Sequence, residues 1–504
     1  MKKRTDPRPT TTSIYPNQNV LLKQIFDRVP ARKILCVALD FAKEKHMALC
    51  CDGNGEILKD PFPVHNSTQG VEFLCEQALA SARRRKISKC NIFFGGEDEA
   101  SYVANFTAAL RAREFLVLRV NAYDAKESRQ NRIASTDLLD LLGIAHTLLS
   151  RRAQNTAPFG GKQPDPENSM PKEDLYYQIR ELSRSRRVLV RQQTAASNRI
   201  HALADQLFPG FLSPTKSGLT PFCDASIALM KERFSAPEIA RRRPRTLADF
   251  LARHHVREPH ECAAKLIALA SQAIPPQPHR LASLQASISA AADLRQCLQR
   301  NADLLRHQAS LLLLQTPYAF LTSIPGIGFT LANGVAGELG DPFALRSTDR
   351  LCGYSGIVPA TFQTGGPDQP ATQGHTMARC NRILKDWVVQ SAQKIHLYGP
   401  PELKERISRW NANGQHGIYA ASRRYLRLLR SLVLNQTPYL EPTGRGASAS
   451  QEQLQVAAQN AWSVMMRKWR TVPGALDFLK HESTPLGFWR ETVMASRSIH
   501  LPLK

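Results

Sequence analysis

The chain has 504 residues, room for about three domains, and its 67 Lys and Arg against 43 Asp and Glu leave a formal charge of +24 and a pI near 9.9. That excess points to a polyanionic partner, nucleic acid first and an anionic membrane second; no run of about 18 apolar residues and no signal-peptide core after Met1-Lys2-Lys3-Arg4 speaks for the membrane. Ten scattered cysteines with no Cys-x-x-Cys pair exclude a disulfide framework and a thiolate zinc site, so a reducing cytoplasm is expected.

Residues 1–30 begin polar and Pro/Thr-rich and are expected to form a flexible N-terminal arm. From residue 31 the pattern changes. An apolar run, Ile34 to Leu39, ends in a single acid, Asp40, and a polar turn at Lys43-Glu44-Lys45 leads to a second run, Met47 to Cys51. Asp52-Gly53-Asn54-Gly55 supplies the φ > 0 residues of a tight hairpin, so three consecutive antiparallel strands are predicted. A charge at the end of the first strand is either solvated there or bound to a metal, because burying it unpaired is costly. Thr68 is placed to cap a helix to about Arg84, with Val71, Phe73, Leu74 and Leu79 toward the core. Cys90 to Phe94 reads as a buried strand ending at Gly95-Gly96-Glu97. A helix from about Glu99 to Arg113, a strand from Phe115 to Val120 and a helix from Asp137 to Arg152 complete a unit spanning 31–154.

Residues 155–172, rich in Pro, Gly and Asn, are read as a linker. Leu175, Ile179, Leu182, Leu189, Ala196, Ile200, Leu203 and Leu207 then follow a 4,3 spacing, with Arg186 and Gln193 in the same seam. Other faces of that helix carry Arg180, Arg184, Arg187, Arg191 and Arg199. Leu284, Ala291, Leu298, Leu305 and Leu312 recur at strict sevens. A helical coiled-coil stalk over 173–316 is expected, its two long helices antiparallel and a helical cap inserted at 209–278. A mainly helical unit follows at 317–441, and a helical extension with Trp462, Trp469 and Trp489 at 442–504.

The first unit offers four acids, Asp40, Glu97, Asp137 and Asp140, the last two at i and i+3 on one helical face. A three-strand meander followed by alternating helices and strands is the order of an α/β RNase H-like fold, in which the first and fourth strands are neighbours. Asp40 and Glu97 would then converge, and the closing helix would bring Asp137 and Asp140 over them. Four carboxylates that close repel one another unless cations neutralise them, and hard oxygen ligands of this kind select Mg²⁺ or Mn²⁺. Two such ions about 3.5–4 Å apart can clamp both oxygens of a phosphoryl displacement. Singly, each acid is equally well a solvated strand end or a first-turn residue favoured by the helix dipole.

Leu39-Asp-Phe-Ala-Lys-Glu-Lys-His46, Gly95-Gly-Glu-Asp-Glu-Ala-Ser-Tyr102 and Ser135-Thr-Asp-Leu-Leu-Asp-Leu-Leu-Gly-Ile-Ala145 resemble the DEDD, RuvC-like domain of one insertion-sequence transposase family. That family includes Piv-type DNA invertases and bridge-RNA-guided recombinases. Residues 323–341 (SIPGIGFTLANGVAGELGD) are similar to its helix-hairpin-helix segment, and 345–366, 379–387 and 404–439 to the blocks that follow, so the resemblance covers about 31–441. Independently, Pro325-Gly326-Ile327-Gly328 before a helix exposes backbone N–H groups that suit a phosphate. An ordinary helix–helix turn would look the same.

The resemblance implies a recombinase in which the acids hold metal and a C-terminal serine attacks DNA to form a phosphoserine link. It implies donor and target DNA as substrates, a structured non-coding bridge RNA, a homo-oligomer from dimer to tetramer, and a bacterial, nucleoid-associated setting. Gly326, Gly328, Arg379, Asn381, Arg382 and Lys385, with Arg184, Arg187 and Arg191 of the stalk, are the candidate nucleic-acid contacts.

The sequence departs from the family at two places. Thr364-Gly365 stands where the family has Ser-Gly, and Cys380 stands where Gly normally precedes Asn381. Threonine keeps the hydroxyl, but its methyl stiffens χ1 and crowds an in-line attack, so a slower reaction is expected. Thr364 is read as the nucleophile, with Ser355 as a shifted alternative and loss of strand transfer as the third. The competing functions are a nuclease of Holliday-junction-resolvase type, which uses the same acids and water, and a catalytically impaired nucleic-acid-binding relic.

Overall fold

In the computed structural model the chain divides into two compact units, Met1–Pro164 and Asp165–Lys504. The structure describes residues 19–97, 103–129, 136–155, 172–232, 234–342, 347–362, 372–376, 380–399, 404–405, 417–440, 450–479 and 484–495.

The N-terminal unit is built on a sheet of order β3-β2-β1-β4-β5-β6. Its strands are β1 (Leu35–Asp40), β2 (Lys45–Asp52), β3 (Ile57–His65), β4 (Ile92–Glu97), β5 (Leu116–Val120) and the two-residue β6 (Gln154–Asn155). The first three form the antiparallel meander, and β4 and β5 add in parallel on the other side of β1. This arrangement fits the RNase H-like fold expected from the sequence. Side chains alternate across β1 because successive Cβ atoms point to opposite faces. Leu35, Val37 and Leu39 pack under α2 (Thr68–Arg85) and α3 (Val103–Ala112). Cys36 and Ala38 pack on the opposite face under α1 (Val20–Arg28) and α5 (Asp137–Leu149).

Several local expectations shift. Residues 20–28, placed in a loose arm, form α1, capped by Asn19 and anchored by buried Leu22 and Ile25 in the sheet core. The cap of α2 is Ser67, whose Oγ accepts from Gly70 N at 3.1 Å, one residue earlier than expected. Phe73 is 41% exposed, because the buried stripe of α2 runs through Val71, Leu74, Cys75 and Ala78 and leaves position 73 off it. A short helix, α4 (Ala122–Glu127), has no counterpart in the sequence reading.

In the second unit, α6 (Lys172–Leu207) and α12 (Pro278–Leu313) run side by side. Gln193 pairs with Gln299, Ser197 with Arg295 and Gln206 with Arg280, so the two helices are antiparallel. Ile179, Ala196, Ile200, Leu203 and Leu207 are buried as the 4,3 spacing predicts. On α12 the strict sevens hold less well: Leu284 and Leu298 are buried, but Ala309 and Leu313 replace Leu305 and Leu312. A straight helix at 3.6 residues per turn drifts by about 20° per heptad, which moves the seam. Between them lie α7 (Pro214–Ser217), α8 (Asp224–Lys231), α9 (Ala236–Ala240), α10 (Pro244–Arg253) and α11 (Pro259–Gln272). They close on a core that includes Phe208, Phe211 and Phe234.

The 3₁₀ segment Pro317–Ser323 leads through a turn to α13 (Phe329–Leu339), followed by α14 (Thr348–Tyr354) and a hairpin of β7 (Pro359–Phe362) and β8 (Thr372–Thr376). Then come α15 (Arg382–Tyr398), α16 (Gly417–Asn435), α17 (Gln451–Trp469), α18 (Ala475–Leu479) and α19 (Pro485–Ala495). Among the described residues no helix is long and apolar enough to cross a membrane.

Candidate functional site

Leu39 pairs with Gly96 across the parallel β1–β4 ladder, so Asp40 and Glu97 are the next pair, at the carboxyl ends of adjacent strands about 4.8 Å apart. By alternation both belong to the α5 face: Asp40 follows Cys36 and Ala38, and Glu97 follows Phe93 and Gly95. Gly95 matters to this geometry. A Cβ there would lie 2.4 Å from Leu148 of α5, so glycine lets that helix settle close on the strand. Leu149 reaches Gly55 in the β2–β3 turn, at the opposite end of the sheet from Asp40. The N-terminus of α5 therefore faces the same end of the sheet as Asp40 and Glu97. Thr136 caps that end by accepting from Leu139 N at 3.3 Å. Asp137 and Asp140 lie one turn before buried Leu141 and Ile144, on the sheet-facing stripe.

The four acids share one end of the sheet but are not drawn into one cluster. Asp137 is exposed, and Asp140 makes a 2.5 Å ion pair with Arg129, a partly buried residue that the sequence reading did not single out. Among the described residues no group of three or more His, Cys, Asp and Glu is placed to hold a metal ion. As hard oxygen donors at one edge, the Asp40–Glu97 pair fits a divalent cation in kind, while Arg129 supplies positive charge beside Asp140. His46 supports the turn after Asp40: its Nδ1 accepts from Ala42 N at 3.2 Å, and burial lowers its pKa and keeps it neutral.

In the second unit, Gly326 has φ +86°, and a Cβ there would lie 2.5 Å from the Lys394 carbonyl of α15. It is a close-packing glycine rather than an open contact surface. Gly328, at the N-cap of α13, is exposed with open space around it. The element before this turn is 3₁₀ and not an α-helix. Thr364 and Arg379 lie outside the described residues. Ser355 is fully buried, with its Oγ donating to Cys352 O at 3.2 Å, which argues against it as an attacking group. Arg382 is exposed, and the Lys385 ammonium stands 5.5 Å from the Tyr419 ring centre.

Two of the three stalk arginines have structural partners. Arg184 grips Glu338 of α13 with Nε at 2.8 Å and Nη2 at 3.0 Å. Arg187 pairs with Asp386 and lies over Trp387, whereas Arg191 is exposed. Asn381 caps α15 by accepting from Leu384 N, and its Nδ2 donates to Glu338 Oε2 at 2.7 Å and to Tyr354 OH at 3.1 Å. Glu338, only 2% exposed, thus ties together α6, α13 and the start of α15.

The C-terminal extension has a structural role that the sequence reading did not assign. Lys468 of α17 donates to the carbonyls of Thr322 at 2.6 Å, Ile327 at 2.8 Å and Ile324 at 3.2 Å. Trp469 donates to Thr322 Oγ1 and meets the Phe329 ring. Burial, reinforced by Arg467, lowers the Lys468 ammonium to about 8, so at neutral pH it remains mostly charged. It holds the turn by satisfying three carbonyls at once. For Lys468→Met, amide exchange across Ser323–Gly328 should speed up by about fivefold or more, the equivalent of about 1–3 kcal/mol of local stability. Unchanged exchange would show that the turn holds its own shape.

Two family models match the chain. A DEDD transposase model of the IS110 type matches residues 37–209, and a model of the transposase IS116/IS110/IS902 family matches residues 318–407; together they span just over half of the sequence. No curated protein matches the chain.

Proposed function

This chain belongs to the IS110 family of transposases, and on that premise we propose that it is a metal-dependent DNA recombinase with a hydroxyl nucleophile. The observation that carries the reading is the placing of Asp40 and Glu97 side by side at the carboxyl ends of β1 and β4, with the acidic start of α5 at the same end. Nothing about folding requires acids to gather there, since like charges repel.

In this reading Asp40, Glu97, Asp137 and Asp140 hold Mg²⁺ or Mn²⁺, which when bound polarises the scissile phosphate and neutralises its charge. Asp40 and Glu97 set the position on the rigid strand ends. Arg129 balances Asp140, and His46 fixes the turn behind Asp40. Thr364 supplies the attacking oxygen: the Oγ–phosphorus bond forms as the bond from phosphorus to the 3′ or 5′ oxygen of the strand breaks, and the hydroxyl proton passes by way of solvent to that departing oxygen. Exposed Arg191, Arg382 and the N-terminus of α13 at Gly328, among the described residues, are placed to position phosphates. A structured non-coding RNA that pairs with donor and target DNA, and assembly as a dimer to tetramer, complete the proposal. Base pairing would then choose the sequence while the protein reads backbone and shape.

Thr364 decides among the readings. Incubation with donor and target DNA, the flanking RNA and Mg²⁺ should give a covalent protein–DNA adduct, accumulating about tenfold faster for Thr364→Ser, as expected for relief of a crowded attack worth about 1.4 kcal/mol. No adduct from the wild type, where Thr364→Ser forms one, would sink the threonine nucleophile. Cleavage kept by Thr364→Ala and lost with Asp40→Asn would identify a nuclease that uses water.

A further inference from the structure

Residues 355–380 connect α14 to α15, and hydrogen bonds fix both ends of this segment. At the exit, α14 closes through Gly356, which has φ +64°, and Ile357 N donates back to Cys352 O at 3.1 Å. A left-handed glycine with that reversed bond, and the buried Ile357 side chain beside it, makes a defined helix end. At the return, Asn381 N donates to Tyr354 O at 2.9 Å, so the chain comes back to the end of the helix it left. Between these points β7 and β8 pair as a two-stranded ribbon, Pro359 with Thr376 and Phe362 with Thr372, and Thr364 falls between the two strands in sequence. A two-stranded ribbon is marginal by itself in water, so its aim depends on what holds its base.

The side chain of Asn381 sits at that base. Its Oδ1 accepts from Leu384 N at 3.0 Å and caps α15. Both hydrogens of its amide are used inward, on Glu338 Oε2 at 2.7 Å and on Tyr354 OH at 3.1 Å. A helix cap needs only the oxygen, and Ser, Thr or Asp would supply one, so these two donations are surplus to capping. They join the two ends of 355–380 to each other and to a buried carboxylate, the stronger kind of acceptor. Glu338 is itself gripped by Arg184 of α6, so the base of the ribbon is tied to a long, rigid helix.

We propose that Asn381 is a positioning residue for strand transfer, clamping the base of the β7–β8 ribbon to Tyr354 and Glu338 and so fixing the segment to which Thr364 belongs. The inference rests on the reading of Thr364 as the nucleophile; the clamp itself does not. A direct contact of Asn381 with nucleic acid is the competing role, and it needs the amide hydrogens that the clamp uses.

Asn381→Ser tests the proposal, because serine still caps α15 but is too short to reach both partners. With saturating DNA, RNA and Mg²⁺, the covalent adduct should form about tenfold more slowly, since a small misplacement of an attacking group costs that much or more. The DNA concentration giving half the rate should stay within about twofold, and the thermal midpoint within about 3 °C, a split that general loss of structure would not produce. Amide exchange in β7 and β8 should speed up by about tenfold. Tyr354→Phe, which takes one acceptor from an exposed side chain, should show the same pattern in milder form. An unchanged saturating rate with weaker DNA binding would make Asn381 a nucleic-acid contact and overturn the proposal, as would rate and exchange both at wild-type values. If neither the wild type nor Thr364→Ser forms an adduct, the nucleophile reading fails; faster exchange in Asn381→Ser then still upholds the clamp, and unchanged exchange sinks it.

Discussion

Asp40→Asn should lower strand transfer by roughly a thousandfold, while leaving the thermal midpoint of the protein equal or slightly higher. The size follows from the several kcal/mol that a metal supplies to a developing phosphoryl charge, about 4 kcal/mol being a thousandfold. The stability expectation follows from removing one of two carboxylates at adjacent strand ends, where Glu97 is its neighbour in register. Asparagine keeps the shape of the side chain, so the β1 ladder and the turn held by His46 stay in place. The same variant should bind Mn²⁺ more weakly by calorimetric titration, a readout independent of turnover. Wild-type recombination by Asp40→Asn would remove this carboxylate from the chemistry altogether.

Glu338→Gln is expected to cost about 3 kcal/mol in denaturant unfolding, because it strands a buried ion pair. Arg184 makes a bidentate contact with this carboxylate, Arg180 Nε stands 3.9 Å away, and Asn381 donates to it. Breaking such a pair from one side leaves uncompensated charge and typically costs about 3–5 kcal/mol; the partial exposure of Arg184 favours the lower end. Burial alone would raise the Glu338 pKa, but the hydrogen bonds from Arg184 and Asn381 and the charges of Arg184 and Arg180 together hold it below its ordinary value. A carboxyl with a depressed folded pKa contributes stability that is present above its unfolded value and lost as pH falls through the folded one. The wild type should therefore lose stability on acidification below about pH 4.5 more steeply than Glu338→Gln. Parallel acid profiles for the two proteins would show that the carboxylate contributes nothing to folding.

The N-terminal sheet was legible because its strands carry local signals. Apolar runs broken by Asp52-Gly53-Asn54-Gly55 can hardly be read otherwise, and the order of meander and alternation selects the neighbour of β1. The cap of α2 was read to within a residue for the same reason, Thr68 standing one position after the observed Ser67. Phe73 misled, since a large apolar residue says nothing about which face of a helix it occupies. The pairing of Asp140 with Arg129 was not legible either, because the ten intervening positions give no hint that the two side chains meet.

The sequence by itself determined the basic character of the chain, the RNase H-like order of its first unit, the two long helices and the family. Each of these rests on residues close in sequence, where periodicity, turn chemistry and short motifs act directly. Only the tertiary structure decided the use of the charges. It set Arg184 against Glu338 from 154 residues away and Lys468 against carbonyls more than 140 residues earlier, and it left Arg186 facing Arg306. Charged side chains have no period to read: whether an arginine is solvated, paired or set against another arginine depends on what another element brings to it.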